Sequence, residues 1–143
     1  MRKSFLILSI FVLLAFAPNV FGQKSQRITF SRGATEKTIS GKLNGFKDKK
    51  IYVIKVLKGQ TLNTEQIKSE SSARYISVEI TSPSGEDVTD SDASCNNMKE
   101  VNPTEAGDYV ITVYECKKGD EFRGNFKLKV SVKTLPPNIK ALT

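Results

Sequence analysis

Alternation of apolar and polar residues with a period of two runs through most of the chain, and helix-period segments are almost absent. The run NFKLKVSV at residues 125–132 is the clearest case, with one Phe, one Leu and two Val on one face and lysines and serine on the other. Successive side chains of a strand point to opposite faces, so this pattern predicts a β-strand that is buried on one side.

Similar runs separated by turn signals predict about seven to eight short strands. The expected core-facing residues are Ile76, Val78, Ile80, Tyr109, Ile111, Val113, Phe126, Leu128, Val130 and Val132. In two further runs one face is shared by Ile39 and Leu43, and by Tyr52, Ile54 and Val56, the latter opposite Ile51, Val53 and Lys55. Such strands must bury one face of each sheet, so the predicted fold is an all-β, antiparallel β-sandwich, with a small closed barrel as the alternative. Residues 86–100 lack strand character and are predicted to form a long loop pinned by Cys95.

The first 22 residues have the layout of a secretory signal peptide. Arg2 and Lys3 precede an apolar core of 13 residues, and small residues at positions 20 and 22 mark a cleavage site before Gln23. A membrane anchor is the alternative, but a bilayer needs about 20 apolar residues. We therefore expect a signal peptide at 1–22, one sandwich domain at 23–134 and a loose C-terminal tail at 135–143, in a protein exported to the periplasm or the exterior.

Two cysteines, Cys95 and Cys116, are present. An even cysteine count in an exported chain predicts a disulfide bond. A reactive thiol is the alternative.

The chain is basic, with a net charge of +7 that falls by two, to +5, when Arg2 and Lys3 are removed. The lysines are spread along the strands, where they increase solubility and block pairing between sheet edges. Attraction to an anionic cell-envelope surface is a second interpretation. Export makes nucleic acid an unexpected partner, and no stable membrane insertion is predicted.

Enzymatic chemistry is not predicted. The chain has no histidine, so it cannot form a Ser-His or Cys-His pair, and it lacks a Gly-rich phosphate loop. Asp87, Asp90 and Asp92 lie in a segment rich in Ser and Thr that is predicted to be solvated. Clustered oxygen ligands of this kind suit calcium, but the spacing of these residues matches no EF-hand loop. We expect neither a cofactor nor a metal.

The remaining functional class is a protein that binds a partner through its loops, because loops on a rigid scaffold often carry recognition residues. Phe46 lies among lysines in one predicted turn, and Lys118, Phe122 and Arg123 lie in the connection KKGDEFRG. Exposed Phe and Arg are typical interface anchors. The alternative is a solvated turn whose aromatic ring folds back on the core. A sugar-binding module has weaker support, because the chain has no Trp.

The ordered motifs ISGKLNG, YVIKVLKGQTL, ISVEITSPSG, PTEAGDYVITV and FKLKVSV resemble the bacterial pre-peptidase C-terminal domain and its stand-alone relatives. An exported single domain of this kind is similar to the periplasmic inhibitors of goose-type lysozyme. The resemblance implies a jelly-roll-like sandwich without catalytic activity, whose loops plug the cleft of a lysozyme.

The same resemblance implies a site. Gly107 and Tyr109 match the Ser-Gly-x-Tyr loop of those inhibitors, whereas Ala106 stands where the motif has a serine hydroxyl. Without that hydroxyl the contact is expected to weaken or to shift to Arg123 and Lys118. The sequence therefore predicts a lysozyme-inhibitor-like binding protein, with an accessory or adhesion module for polysaccharide or cell envelope as the alternative.

Overall fold

A computed structural model describes residues 23–68, 76–88, 95, 98–121 and 123–134. The described residues form eight strands and no helix: β1 Ser25–Ile28, β2 Glu36–Asn44, β3 Lys49–Val56, β4 Gln60–Gln66, β5 Ile76–Thr81, β6 Met98–Val101, β7 Gly107–Glu115 and β8 Arg123–Thr134. The predicted signal peptide at 1–22 and the tail at 135–143 lie outside the described residues.

The strands make two four-stranded sheets, with the orders β1-β3-β7-β5 and β2-β8-β4-β6. All neighbours are antiparallel except β1 and β3, which run parallel. Neither sheet closes on itself within the described part of the chain. The predicted sandwich is therefore confirmed, and the barrel alternative is wrong.

The core lies between the two sheets and contains all of the residues that the alternation assigned to it, together with the faces shared by Ile39 and Leu43 and by Tyr52, Ile54 and Val56. These buried residues are Ile39, Leu43, Tyr52, Ile54, Val56, Ile76, Val78, Ile80, Tyr109, Ile111, Val113, Phe126, Leu128, Val130 and Val132. Tyr52 and Phe126, one from each sheet, meet edge to face with ring centroids 6.5 Å apart. Gly41 makes room for them, because a Cβ at that position would lie 2.6 Å from the Phe126 ring.

The prediction of a continuous loop at 86–100 is wrong at its C-terminal end. Residues 98–100 belong to β6, which pairs with β4. Lys99 and Val101 of this strand are both buried. A lysine at a buried position interrupts the apolar alternation, and the strand is only four residues long. For these two reasons the alternation did not predict β6.

The disulfide between Cys95 and Cys116 is present, as predicted. It links the segment before β6 to the end of β7. No helix among the described residues is long and apolar enough to cross a membrane.

Candidate functional site

The strand registers divide the predicted binding residues between opposite ends of the sandwich. Gly107 lies opposite Val56 at the last residue of β3, whereas Tyr114 lies opposite Lys49 at its first. An eight-residue strand spans about 23 Å. We call the loops at 57–59, 82–86 and 102–106 the turn end, and the loops at 45–48 and 116–121 the basic end.

Tyr109 anchors the turn end from inside the core. Its side chain is only 1% exposed, and its hydroxyl accepts a hydrogen bond of 2.9 Å from the backbone N–H of Glu105. The ring therefore packs between the sheets, while its polar tip holds the surface turn that precedes β7. In this position Tyr109 can fix the turn but cannot itself contact a partner.

Gly107 joins two loops of the turn end. Its φ of +142° lies in a region that other residues rarely adopt. A Cβ at this position would lie 2.7 Å from Cβ of Pro83, so the turn at 82–86 packs directly against the Gly107 backbone. Glycine is required here both for its conformation and for its small size.

Thr104 ties the turn before β7 to the turn between β3 and β4. Its buried hydroxyl donates to the carbonyl of Leu57 at 2.7 Å and accepts from the N–H of Gln60 at 3.0 Å. Two backbone bonds reinforce the link: Gly59 donates to the Thr104 carbonyl at 2.8 Å, and Thr104 donates to the Gln60 carbonyl at 2.9 Å. The loops of the turn end thus form one hydrogen-bonded frame.

Two carboxylates at this end of the sandwich, one in the frame and one at the start of β7, have fixed partners. The Ser84 hydroxyl donates to Glu105 at 2.8 Å and lowers the pKa of that carboxyl. The Arg27 guanidinium binds Asp108 through two hydrogen bonds of 3.0 and 2.7 Å, and these bonds lower the pKa of Asp108. Both carboxylates are therefore stabilised in their charged form.

The frame presents a small apolar surface to solvent. Leu57 is 62% exposed, although large apolar residues are usually buried. Pro83 and Ala106 are also exposed. Lys58, next to Leu57, adds a positive charge in the same turn.

The basic end contains the other predicted residues. Arg123 lies opposite Asn44 in the β2–β8 pairing, and this register brings the Phe46 turn beside the β7–β8 connection. The N–H of Phe46 donates to the Glu121 carboxylate at 3.2 Å, which links the two loops. Lys118 and Arg123 are exposed, and Phe46 is half-buried. Phe122 lies outside the described residues, as do Asp90 and Asp92.

Cations outnumber acidic groups at this end. The basic residues are Lys47, Lys49, Lys50, Lys117, Lys118 and Arg123, and the acidic ones are Asp48, Asp120 and Glu121. Asp48 is bound by Lys50 at 3.0 Å. Partial burial alone would raise the pKa of Asp48, but the hydrogen bond and charge of Lys50 and two backbone N–H donors lower it overall. The remaining cations form an exposed positive surface.

The sequence interpretation brought Gly107 and Tyr109 to notice but missed Thr104, Leu57 and the Arg27–Asp108 pair. Leu57 carried a detectable signal, since it breaks the alternation directly after the core residue Val56. The hydrogen-bond partners of Thr104 and Arg27 lie 47 and 81 residues away in the sequence, respectively. A local sequence pattern does not predict hydrogen bonds between such distant residues.

The described residues contain no cluster of three or more His, Cys, Asp or Glu side chains that could hold a metal ion. What the geometry offers is a rigid, solvent-facing frame at one end and a positive surface at the other. Both are suited to binding a macromolecule.

No protein-family model and no curated protein sequence matches this chain. Solved structures do match. The PliG periplasmic inhibitor of g-type lysozyme from Aeromonas hydrophila has a TM-score of 0.57 at 18% identity, and the match covers 76% of this chain and 96% of that protein. PliG from Salmonella Typhimurium has a TM-score of 0.55 at 16% identity, covering 77% and 98%.

The pre-peptidase C-terminal domain of a Bacillus anthracis collagenase also matches, with a TM-score of 0.50 at 19% identity over 78% of this chain and 96% of that domain. These identities are low, so the likeness concerns the backbone arrangement. The chain has the β-sandwich fold found in PliG lysozyme inhibitors and in a pre-peptidase C-terminal domain, as the sequence motifs predicted.

Proposed function

We propose that this protein is an exported, non-catalytic inhibitor of a lysozyme, and that its turn end enters the lysozyme cleft. The observation that carries the proposal is the Gly107–Tyr109 turn, held by the Tyr109 hydroxyl and packed on Pro83. The fold likeness to PliG proteins, over almost their whole length, supports the same function. The disulfide supports export, because such bonds persist in oxidising compartments.

The physical basis is a loop frame that is ordered before it binds. A flexible loop loses conformational freedom on binding, so a frame fixed by Thr104 and Tyr109 reduces that loss. Most glycosidases use a pair of carboxylates that flank the scissile bond. Exposed Lys58 can pair with such a carboxylate, while Leu57 and Ala106 exclude water and glycan from the cleft.

The two ends of the sandwich are too far apart to occupy one cleft together, so variants can identify the end that binds. Leu57→Ser with Lys58→Glu changes the turn end, and Lys118→Glu with Arg123→Glu changes the basic end. We expect the first pair to abolish protection of cell walls from goose-type lysozyme and the second pair to leave it intact. The opposite pattern would assign binding to the basic end.

The assay itself uses goose-type, invertebrate-type and chicken-type lysozymes, with lysis of cell walls followed by turbidity. Absence of protection against all three at micromolar protein rejects the proposed function.

A second candidate is an accessory module that binds polysaccharide or the cell envelope. The positive basic end and the likeness to a collagenase accessory domain favour it. Pull-down on purified peptidoglycan across a salt series separates the two candidates. Saccharide-selective retention at moderate salt supports the module, and loss of all binding there rejects it.

A further inference from the structure

The four edge strands of the two sheets differ in length. Strands β1 and β6 are edges of four residues each, and β5 is an edge of six, but β2 is an edge of nine residues. Within the described part of the chain, β2 pairs only with β8. A long unpaired edge offers a row of backbone donors and acceptors to another strand.

Hydrogen bonds show which groups of β2 face outward. Val132 donates to the carbonyl of Thr35, which lies opposite it at the start of the β2–β8 ladder. Pairing alternates along an antiparallel ladder, so the backbone groups of Glu36, Thr38, Ser40 and Lys42 point away from β8. Asn44 follows the same rule, because its N–H donates to the side chain of Asp48 instead.

We propose that β2 pairs antiparallel with β2 of a second copy of this chain, about a two-fold axis at Ile39, giving a dimer with a continuous eight-stranded sheet. In this register Thr38 of one copy lies opposite Ser40 of the other. Glu36 of each copy lies opposite Lys42 of the other, so two ion pairs flank the axis.

The charges select this register. Shifting the two-fold axis by one residue in either direction places Glu36 opposite Ser40 or Asn44 and removes both ion pairs. Glu36 and Lys42 are exposed and have no ion-pair partner among the described residues. Lys129 on β8 interacts with the charge of Glu36, but its ion pair is with Glu65, at 2.8 Å. Opposite charges at facing positions stabilise a strand pair, and like charges destabilise it.

Pairing through this edge leaves both ends of the sandwich open. The dimer would then present two turn ends, whatever target they bind. One pair of strands buries less area than a standard stable interface, so we expect a dimer that forms at micromolar concentration.

Sedimentation velocity of the exported protein tests the proposal when wild type and charge-reversal variants are compared between about 1 and 500 µM. This range spans the micromolar dissociation constant that we expect for the dimer. Wild type is expected to shift from monomer to dimer. Glu36→Lys alone places two Lys–Lys contacts at the interface, and Lys42→Glu alone places two Glu–Glu contacts, so each variant is expected to remain monomeric. An equimolar mixture of the two variants restores opposite charges at both positions and is expected to form a heterodimer.

Lys127→Glu is the matched control, because this exposed lysine lies on the central strand β8 and away from the free edge. Circular dichroism verifies that each variant is folded. Wild type that remains monomeric at the highest concentration overturns the proposal. So does a dimer that neither single reversal weakens, or a mixture that fails to associate.

Discussion

The backbone N–H of Glu105 donates a hydrogen bond of 2.9 Å to the hydroxyl of Tyr109, whose ring is buried between the two sheets. A core residue thus sets the shape of an exposed turn four residues earlier in the chain. Tyr109 is therefore a positioning residue for this turn, and under the proposed function the contact surface consists of exposed residues of the turn end such as Ala106 and Leu57.

Tyr109→Phe keeps the ring and removes the acceptor. We expect the free energy of unfolding in urea to fall by about 1 kcal/mol, the typical net contribution of one hydrogen bond. Tyr114→Phe is the control, since Tyr114 is half-buried and its hydroxyl has no hydrogen bond to any described residue. Equal losses in the two variants would show that the Glu105 bond contributes nothing.

Gly107→Ala forces a Cβ against Pro83 at an unfavourable φ. We expect a loss of about 1–3 kcal/mol, as for other strained backbone positions, together with weaker lysozyme inhibition. Gly119→Ala, where a Cβ meets nothing within 4 Å, is expected to leave both quantities unchanged. A Gly107→Ala protein with wild-type stability would contradict the described packing.

Thr104→Val preserves the shape of the side chain but removes its hydroxyl. The carbonyl of Leu57 and the N–H of Gln60 then lose their partner, so we expect unfolding to become easier by about 1–3 kcal/mol. Hydrogen exchange of the Gln60 amide should also accelerate. Thr112→Val on the outer face of β7 is the control, and no difference between these variants would refute the role of Thr104.

The sandwich was predictable from the sequence, whereas the organisation of its ends was not. Alternation alone assigned Tyr109 and Phe126 to the core, because side-chain direction in a strand follows from sequence parity. Gly107 and Arg123 lie at opposite ends of the sandwich because of the way the strands pair. The alternation along a single strand carries no information about which strands pair. Strand β6 was missed for a similar reason, because the burial of its Lys99 depends on tertiary contacts, which the alternation does not predict.

Acid should weaken the Arg27–Asp108 link. The folded pKa of Asp108 lies below its unfolded value because Arg27 binds the carboxylate. The stabilisation is therefore complete above the unfolded pKa of about 3.9 and is lost as the pH falls through the folded value. We expect Asp108→Asn to lower stability at pH 7 and to reduce the loss between pH 5 and 2, as measured by urea unfolding. Parallel pH profiles for the variant and wild type would contradict this.

The disulfide should stabilise the fold by limiting the unfolded chain. Cys95 and Cys116 are separated by 21 positions, and a loop of this size is expected to contribute about 2–4 kcal/mol. The double variant Cys95→Ser/Cys116→Ser should lose this amount relative to the oxidised protein, and reductant should have no effect on it. Wild-type protein that is equally stable with and without reductant would contradict this expectation.

Ala106→Ser tests the one departure from the inhibitor motif. The restored hydroxyl is expected to strengthen inhibition about 5–10-fold, which corresponds to one hydrogen bond of about 1–1.4 kcal/mol. Ala34→Ser, in the exposed β1–β2 loop, is the control. Equal inhibition by Ala106→Ser and wild type would show that position 106 does not contact the lysozyme.

The most direct test of the central claim is titration of goose-type lysozyme with the purified protein while cell-wall lysis is recorded. We predict inhibition that rises to completion at a one-to-one ratio and is lost in the Leu57→Ser/Lys58→Glu variant. An unchanged rate of lysis at micromolar wild-type protein would contradict the account.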